Sequence, residues 1–185
     1  MNKDITIKLF ERFKQGNQEA FCDIYKIYYN KLLRFGSIFS NDYNLVENVI
    51  QDFFIKMFKT PDKLNHVINL EVYLFKSIKQ NIISELNKEN RRTVIRKLVI
   101  DLDDKDDSIE QELIRKELSQ ERILWLKSHI DSLPIRQKEI IYLRFYEGLS
   151  YDQITQLTSL SNQVARNYVS RALDKLRHKM LRKQK

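Results

Sequence analysis

Only three glycines and two prolines occur in 185 residues. Strand-rich folds need many more turn residues, so the shortage points to an all-α chain. Cys22 is the single cysteine, which excludes an intramolecular disulfide and disfavours a thiolate metal site. Its place in an apolar stripe predicts a buried structural thiol. Nowhere do eighteen apolar residues run together, and the opening MNKDITIKLFERF lacks an apolar signal core. A soluble, cytoplasmic protein without membrane insertion is therefore expected. Phosphate-cradling glycine motifs are missing, and His66, His129 and His178 stand far apart without metal-ligand spacing. These patterns assign no catalytic residue, no metal and no cofactor, and the chain is not expected to be an enzyme.

Charge is what the chain has in abundance. Thirty-three Lys and Arg against twenty-five Asp and Glu leave a net charge of +8, and the pI is near 9.4. A basic balance of this kind suits a polyanion, nucleic acid before an anionic membrane. The charges are also segregated. Seven acidic residues between Asp101 and Glu112 face only Lys105, a composition that solvates a linker. That run has no central glycine for the sharp turn of a calcium loop. From Ser161 to Lys185 the balance reverses, with eight Lys and Arg against Asp174.

Helical periodicity organises the rest. Residues 5–37 carry two patterns split by Gly16 and Asn17, the second with Phe21, Ile24, Tyr25, Tyr28, Leu32 and Phe35 on one face. The segment SNDYNLVENVIQDFFIKMFK starts with capping residues and lines up Val46, Val49, Ile50, Phe53 and Met57. Its other face mixes Glu47, Asn48, Gln51 and Asp52 with Ile55 and Phe58. That mixture fits either a protein-binding surface or a central helix buried nearly all round. Pro61 breaks the pattern before a further helix, LEVYLFKSIKQNIISELNKENRR, with core positions Val72, Phe75, Ile78, Ile82 and Leu86. The opposite face presents Tyr73, Lys76, Gln80, Ser84 and Asn87 and ends in Lys88, Arg91 and Arg92. Terminal cations complement the helix dipole, but an aromatic with lysines and amides also suits melted nucleic acid.

After the acidic run, Ser108 and Gln111 have capping-box spacing and open a helix with Ile109, Leu113, Leu124, Trp125 and Ile130. Pro134 suits the first turn of the next helix, Ile135 to Tyr146. Gly148 stops it. Ser150 and Gln153 repeat the capping-box spacing and open a short helix, Tyr151–Thr158, with Ile154 and Leu157 inward. A turn over Ser159–Asn162 leads to a longer helix with Ala165, Val169, Ala172, Leu173 and Leu176 on one face. Two helices so joined form a helix-turn-helix, whose second helix commonly enters the DNA major groove. A helical hairpin in an ordinary α-domain has the same pattern. The cations after Ser161 favour DNA.

Taken in this order, the residues resemble the extracytoplasmic-function type of bacterial RNA polymerase sigma factor. SLPIRQKEIIYLRFYEGLSYDQITQL and VARNYVSRALDKLR are similar to the family's promoter-reading half, and VIQDFFIKMF resembles its polymerase-docking segment. VYLFKSIKQNIISELNKENRR resembles its promoter-melting helix. Departures are Ser159, where the family often has glycine at the turn, Val46 and Asn48 in the docking helix, and Ser84 and Asn87 in the melting helix. The resemblance implies two helical domains, a region-two-like unit over 1–92 and a region-four-like unit over 113–185, joined by the acidic linker 93–112. It implies core RNA polymerase and promoter DNA as partners, and leaves room for an anti-sigma factor. Polymerase would be met by Asn48, Gln51, Asp52 and Ile55, and the melted −10 element by Tyr73, Lys76, Gln80, Asn87, Arg91 and Arg92. Ser161, Asn162, Gln163, Arg166, Asn167, Ser170 and Arg171 would meet the duplex −35 element. Two other classes share parts of this pattern: a stand-alone helix-turn-helix regulator and a helical protein-binding adaptor. The adaptor does not account for the clustered cations.

Overall fold

A computed structural model describes residues 3–99 and 128–182, with side chains at 4–89, 91 and 128–178. The acidic run, the Ser108–Gln111 cap, Ile109, Leu113, Leu124 and Trp125 lie outside the described residues. Among those described, all regular structure is helical.

Helix α1 (Lys3–Lys14) stops at Gly16, whose φ of 89° is open to glycine at no steric cost. Asn17 then caps α2 (Gln18–Gly36), its Oδ1 accepting from the Ala20 N–H at 2.8 Å. Of the expected α2 stripe, Ile24, Tyr28, Leu32 and Phe35 are buried, while Phe21 and Tyr25 are half-buried against the core; Ala20 is buried beside them. Cys22 is exposed, contrary to the expectation of a buried thiol. It follows Phe21 around the helix and falls off the stripe. Asp42 caps α3 (Tyr43–Lys59), which buries Val46, Val49, Ile50, Phe53, Phe54 and Met57. A 3-10 turn at Pro61–Leu64 leads to α4 (Leu70–Val99). That helix runs past Arg92, so the first part of the expected linker is helical.

In the second half a helical turn ends at residue 131, and Pro134 stands immediately before α5 (Ile135–Ile141) as its N-cap. The chain does not continue as a plain α-helix to Tyr146; Tyr142–Tyr146 forms a π-helical turn. Gly148, at φ 72°, ends it. The helices α6 (Tyr151–Thr158) and α7 (Asn162–Arg182) complete the helix-turn-helix.

The two halves share one hydrophobic cluster. Phe35, Leu74, Phe75 and Ile78 of the first half join Ile140, Leu143, Ile154 and Leu157 of the second. A smaller cluster, Leu133, Ile141, Ala172 and Leu176, holds α5 to α7. Leu173 was expected in this face but is 46% exposed, because it sits at the edge of the arc defined by Ala165, Val169 and Leu176.

Polar contacts seal the junction. The Lys79 ammonium on α4 pairs with Glu139 on α5, and both residues are buried. The second Glu139 oxygen accepts from Arg136 at 3.2 Å. The Glu147 side chain is enclosed as well, although its backbone is not, and it pairs with Lys31 of α2 at 2.7 Å. The single proton of the Tyr142 hydroxyl faces two acceptors, Glu147 at 2.8 Å and the Lys31 carbonyl at 3.0 Å. Its burial, then the nearby Glu147 carboxylate, push ionisation of this phenol far above the usual range. Arg34 donates to the Tyr146 hydroxyl, and Tyr146 stacks on Tyr142 with centroids 4.9 Å apart.

Candidate nucleic-acid and protein interfaces

The helix-turn-helix is set by local chemistry at each corner. Both halves of the capping box form: Ser150 Oγ accepts from the Gln153 N–H at 3.2 Å, and Gln153 Oε1 from the Ser150 N–H at 3.0 Å. Ser159 ends α6 in the left-handed region, at φ 58° and ψ 23°, and its N–H donates to the Thr155 carbonyl at 2.9 Å. Ser161 Oγ then accepts from the Val164 N–H at 3.3 Å, directing the chain into α7.

Burial of Ala165, Val169, Ala172 and Leu176 turns the other side of α7 outward. Ser161, Asn162, Gln163, Arg166, Asn167, Ser170 and Arg171 are all exposed, and the structure brings them onto one corner and one helix. Several are already oriented. The Asn162 amide donates to Asp152 Oδ1 of α6 at 2.9 Å, and the Gln163 amide lies 3.4 Å from Asn167 Oδ1. The Arg166 guanidinium lies over the Tyr151 ring, 4.4 Å from its centroid. Among the described residues, Arg166, Arg171, Lys175 and Arg177 form no ion pair. Their charge is available to an external anion.

On α4, Gln80, Asn87 and Arg91 are exposed, while Tyr73 and Lys76 are half-buried; the Arg92 side chain lies outside the described residues. Tyr73 packs on Phe53 of α3, with centroids 5.9 Å apart, so its ring is held by the core beneath it. Lys79 lies beside Lys76 and Gln80 along the chain but turns away from this face to pair with Glu139.

On α3, Asn48, Gln51, Asp52 and Ile55 are exposed, and Ile55 and Phe58 are 51% and 42% accessible. The helix is therefore not buried all round. Asn48 and Asp52 also line a groove of about 530 Å³ between α3 and α4, with Lys56, Ser84, Glu85 and Lys88. Gln51 and Ile55 stand outside it. Glu47 accepts from the Tyr29 hydroxyl, and that bond, more than burial, raises the ionisation of Tyr29 well beyond its ordinary value.

Periodicity did not reveal Tyr151, Lys79, Glu139 or Glu147. Tyr151 follows a capping serine and reads as a solvated first-turn residue; the charged three read as surface. A partner far along the chain gives each its role. Among the described residues there is no cluster of three or more possible metal ligands from His, Cys, Asp and Glu. No helix among them is long and apolar enough to cross a membrane.

The family model for Sigma-70 region 2 matches residues 24–92, and that for Sigma-70, region 4 matches 123–176. The ECF RNA polymerase sigma-E factor of Haemophilus influenzae is 28% identical to this chain, covering 93% of each. In fold, the chain is similar to the sigma factor RpoE solved in complex with the anti-sigma factor NepR from Bartonella quintana. That likeness has a TM-score of 0.62 at 21% identity, over 86% of this chain and 96% of that one. It is also similar to CnrH solved in complex with the cytosolic domain of CnrY, with a TM-score of 0.61 at 17% identity over 95% and 97%. The two matched regions, in this order and over most of the chain, place it in the sigma-70 family, as a sigma factor of the extracytoplasmic-function type. It is a promoter-recognising factor that directs core RNA polymerase to initiate transcription.

Proposed function

We propose that the two halves divide promoter recognition between named surfaces. The unit over 1–92 docks on polymerase through Asn48, Gln51, Asp52 and Ile55. Its α4 face of Tyr73, Lys76, Gln80, Asn87, Arg91 and Arg92 takes the melted −10 element by stacking and phosphate contact. The unit over 113–185 reads the duplex −35 element. Gln163, Arg166, Asn167 and Ser170 address base edges, where Arg suits guanine and Gln or Asn suits adenine. Ser161, Asn162, Arg171 and the tail cations set the register on phosphates. The 93–112 segment links the two units. The carrying observation is the outward set of unpaired cations and oriented amides on α7.

In this reading the chain performs no reaction of its own, and it works in the cytoplasm, with polymerase. The two solved neighbours were captured with an anti-sigma factor and with the cytosolic domain of CnrY, so capture by a protein of that kind is part of the proposal.

The test is promoter-dependent run-off transcription by purified core polymerase with the chain added. Specific transcripts are expected. Their absence, with failure to co-purify with core, would refute the reading. Asp52→Lys should lower affinity for core without unfolding the protein; unchanged affinity removes the docking assignment. Arg166→Ala should lose preference at one base pair, and equal weakening on every sequence would make Arg166 a phosphate contact.

A further inference from the structure

We infer that Tyr151 is the positioning residue for Arg166, and thereby a determinant of base preference in the upstream element. The inference rests on the assignment of Arg166 to base reading.

Tyr151 occupies the first position of α6, directly after Ser150, and the closed capping box holds this turn in place. Its ring is partly buried against the main core, so it is a fixed platform. Two guanidinium groups lie over it, Arg144 at 4.8 Å and Arg166 at 4.4 Å from the centroid. They are engaged differently. Arg144 spends an N–H on the Leu149 carbonyl at 2.8 Å, which ties it to the loop before α6. Arg166 has no hydrogen bond or ion pair with another described residue.

The ring attracts the charge of the guanidinium without accepting a conventional hydrogen bond, and Arg166 commits none of its N–H groups to another described residue. Bidentate recognition of guanine needs those N–H groups, so the ring and the base do not compete for them. A free arginine side chain must give up rotamer freedom to present its fork, and a ring that already selects the orientation lowers that cost. Tyr151 therefore links the first helix of the motif to the reading side chain of the second. Its neighbour Asp152 likewise accepts a hydrogen bond from Asn162 at the start of the second helix.

The experiment uses holoenzyme assembled from core polymerase and the full chain, transcribing promoters randomised across the upstream element. Arg166→Ala first identifies the base pair. Tyr151→Phe, which keeps the ring, should retain the parent preference there. Tyr151→Leu should reduce it by about two- to fivefold, the size of an exposed cation–π contact, with other positions unchanged. Adding Arg166→Ala to Tyr151→Leu should cause no more loss at that pair than Arg166→Ala alone. If the leucine variant melts early, Tyr151→Met repeats the measurement with a more adaptable side chain. If Arg166→Ala shifts the preference and neither Tyr151→Leu nor Tyr151→Met does, the positioning role is overturned while the reading of Arg166 stands. If Arg166→Ala leaves every preference unchanged, the base-reading assignment fails, and the positioning role with it.

Discussion

Replacing Lys79 with methionine tests whether the two halves are held as the structure places them. The Lys79 side chain is 10% exposed and its Glu139 partner 0%. Breaking a buried pair from one side costs about 3–5 kcal/mol, mainly from the stranded charge. Here Glu139 keeps Arg136 at 3.2 Å, but that arginine is 52% exposed and its interaction is partly screened by water. A loss of about 2–3 kcal/mol is therefore expected. Lys79→Met with Glu139→Leu removes both charges and should recover most of it, while half-exposed Arg136 stays solvated. Urea unfolding gives the energies, and small-angle scattering reports whether the halves move apart. If Lys79→Met changes neither quantity, or the double variant is no better than the single, the pair does not join the halves. The contact bears on function through length. A compact chain of this size has a radius of gyration of about 16 Å, so roughly 40 Å across. Elements centred near −35 and −10 are separated by about 25 base pairs, or roughly 85 Å at about 3.4 Å each. Under the division of the promoter proposed above, the closed form is too short to span both elements, and this junction would have to part.

Three other perturbations probe the fold beneath the surfaces. A Cβ at Gly36 would lie 2.4 Å from Val46 Cγ1 and 2.9 Å from Ile82 Cδ1. Gly36→Ala should thus cost about 1–3 kcal/mol of overpacking, visible in urea unfolding; an unchanged midpoint would mean α2, α3 and α4 are not so closely joined. Ser159→Gly relieves a left-handed residue at about 1–2 kcal/mol, offset by about 0.4–1 kcal/mol of added unfolded-state freedom. The difference, a net gain of about 0–1.6 kcal/mol, should raise the melting temperature by up to a few degrees, and a fall would contradict the observed turn geometry. Burial raises the ionisation of Tyr28 and Tyr142 above the ordinary phenol value of 10. The stability this confers is complete below about pH 10 and is lost as pH rises through the folded-state values. In an alkaline absorbance titration these two should ionise late, together with unfolding, alongside Tyr29, which its bond to Glu47 also holds back; early ionisation of all tyrosines would refute their burial.

What could be read from the chain alone was local. Helix ends followed from Asn17, Asp42, Ser150 and Gly148, and the inward stripes of α2, α3 and α4 from three- and four-residue spacing. The outward face of α7 followed from the same arithmetic. Errors arose at stripe margins, where periodicity does not say how wide the covered arc is: Cys22 and Leu173 proved exposed. The π-helical turn at Tyr142–Tyr146 left no separate signal in the spacing. The junction was decided by tertiary structure alone. Lys31 meets Glu147 across 116 positions, and Lys79 meets Glu139 across 60. Each of these charges reads as a solvated surface group in its own helix. Only folding supplies the partner that makes its burial tolerable. Tyr151 belongs to the same class, an ordinary first-turn residue until α7 lays Arg166 across its ring.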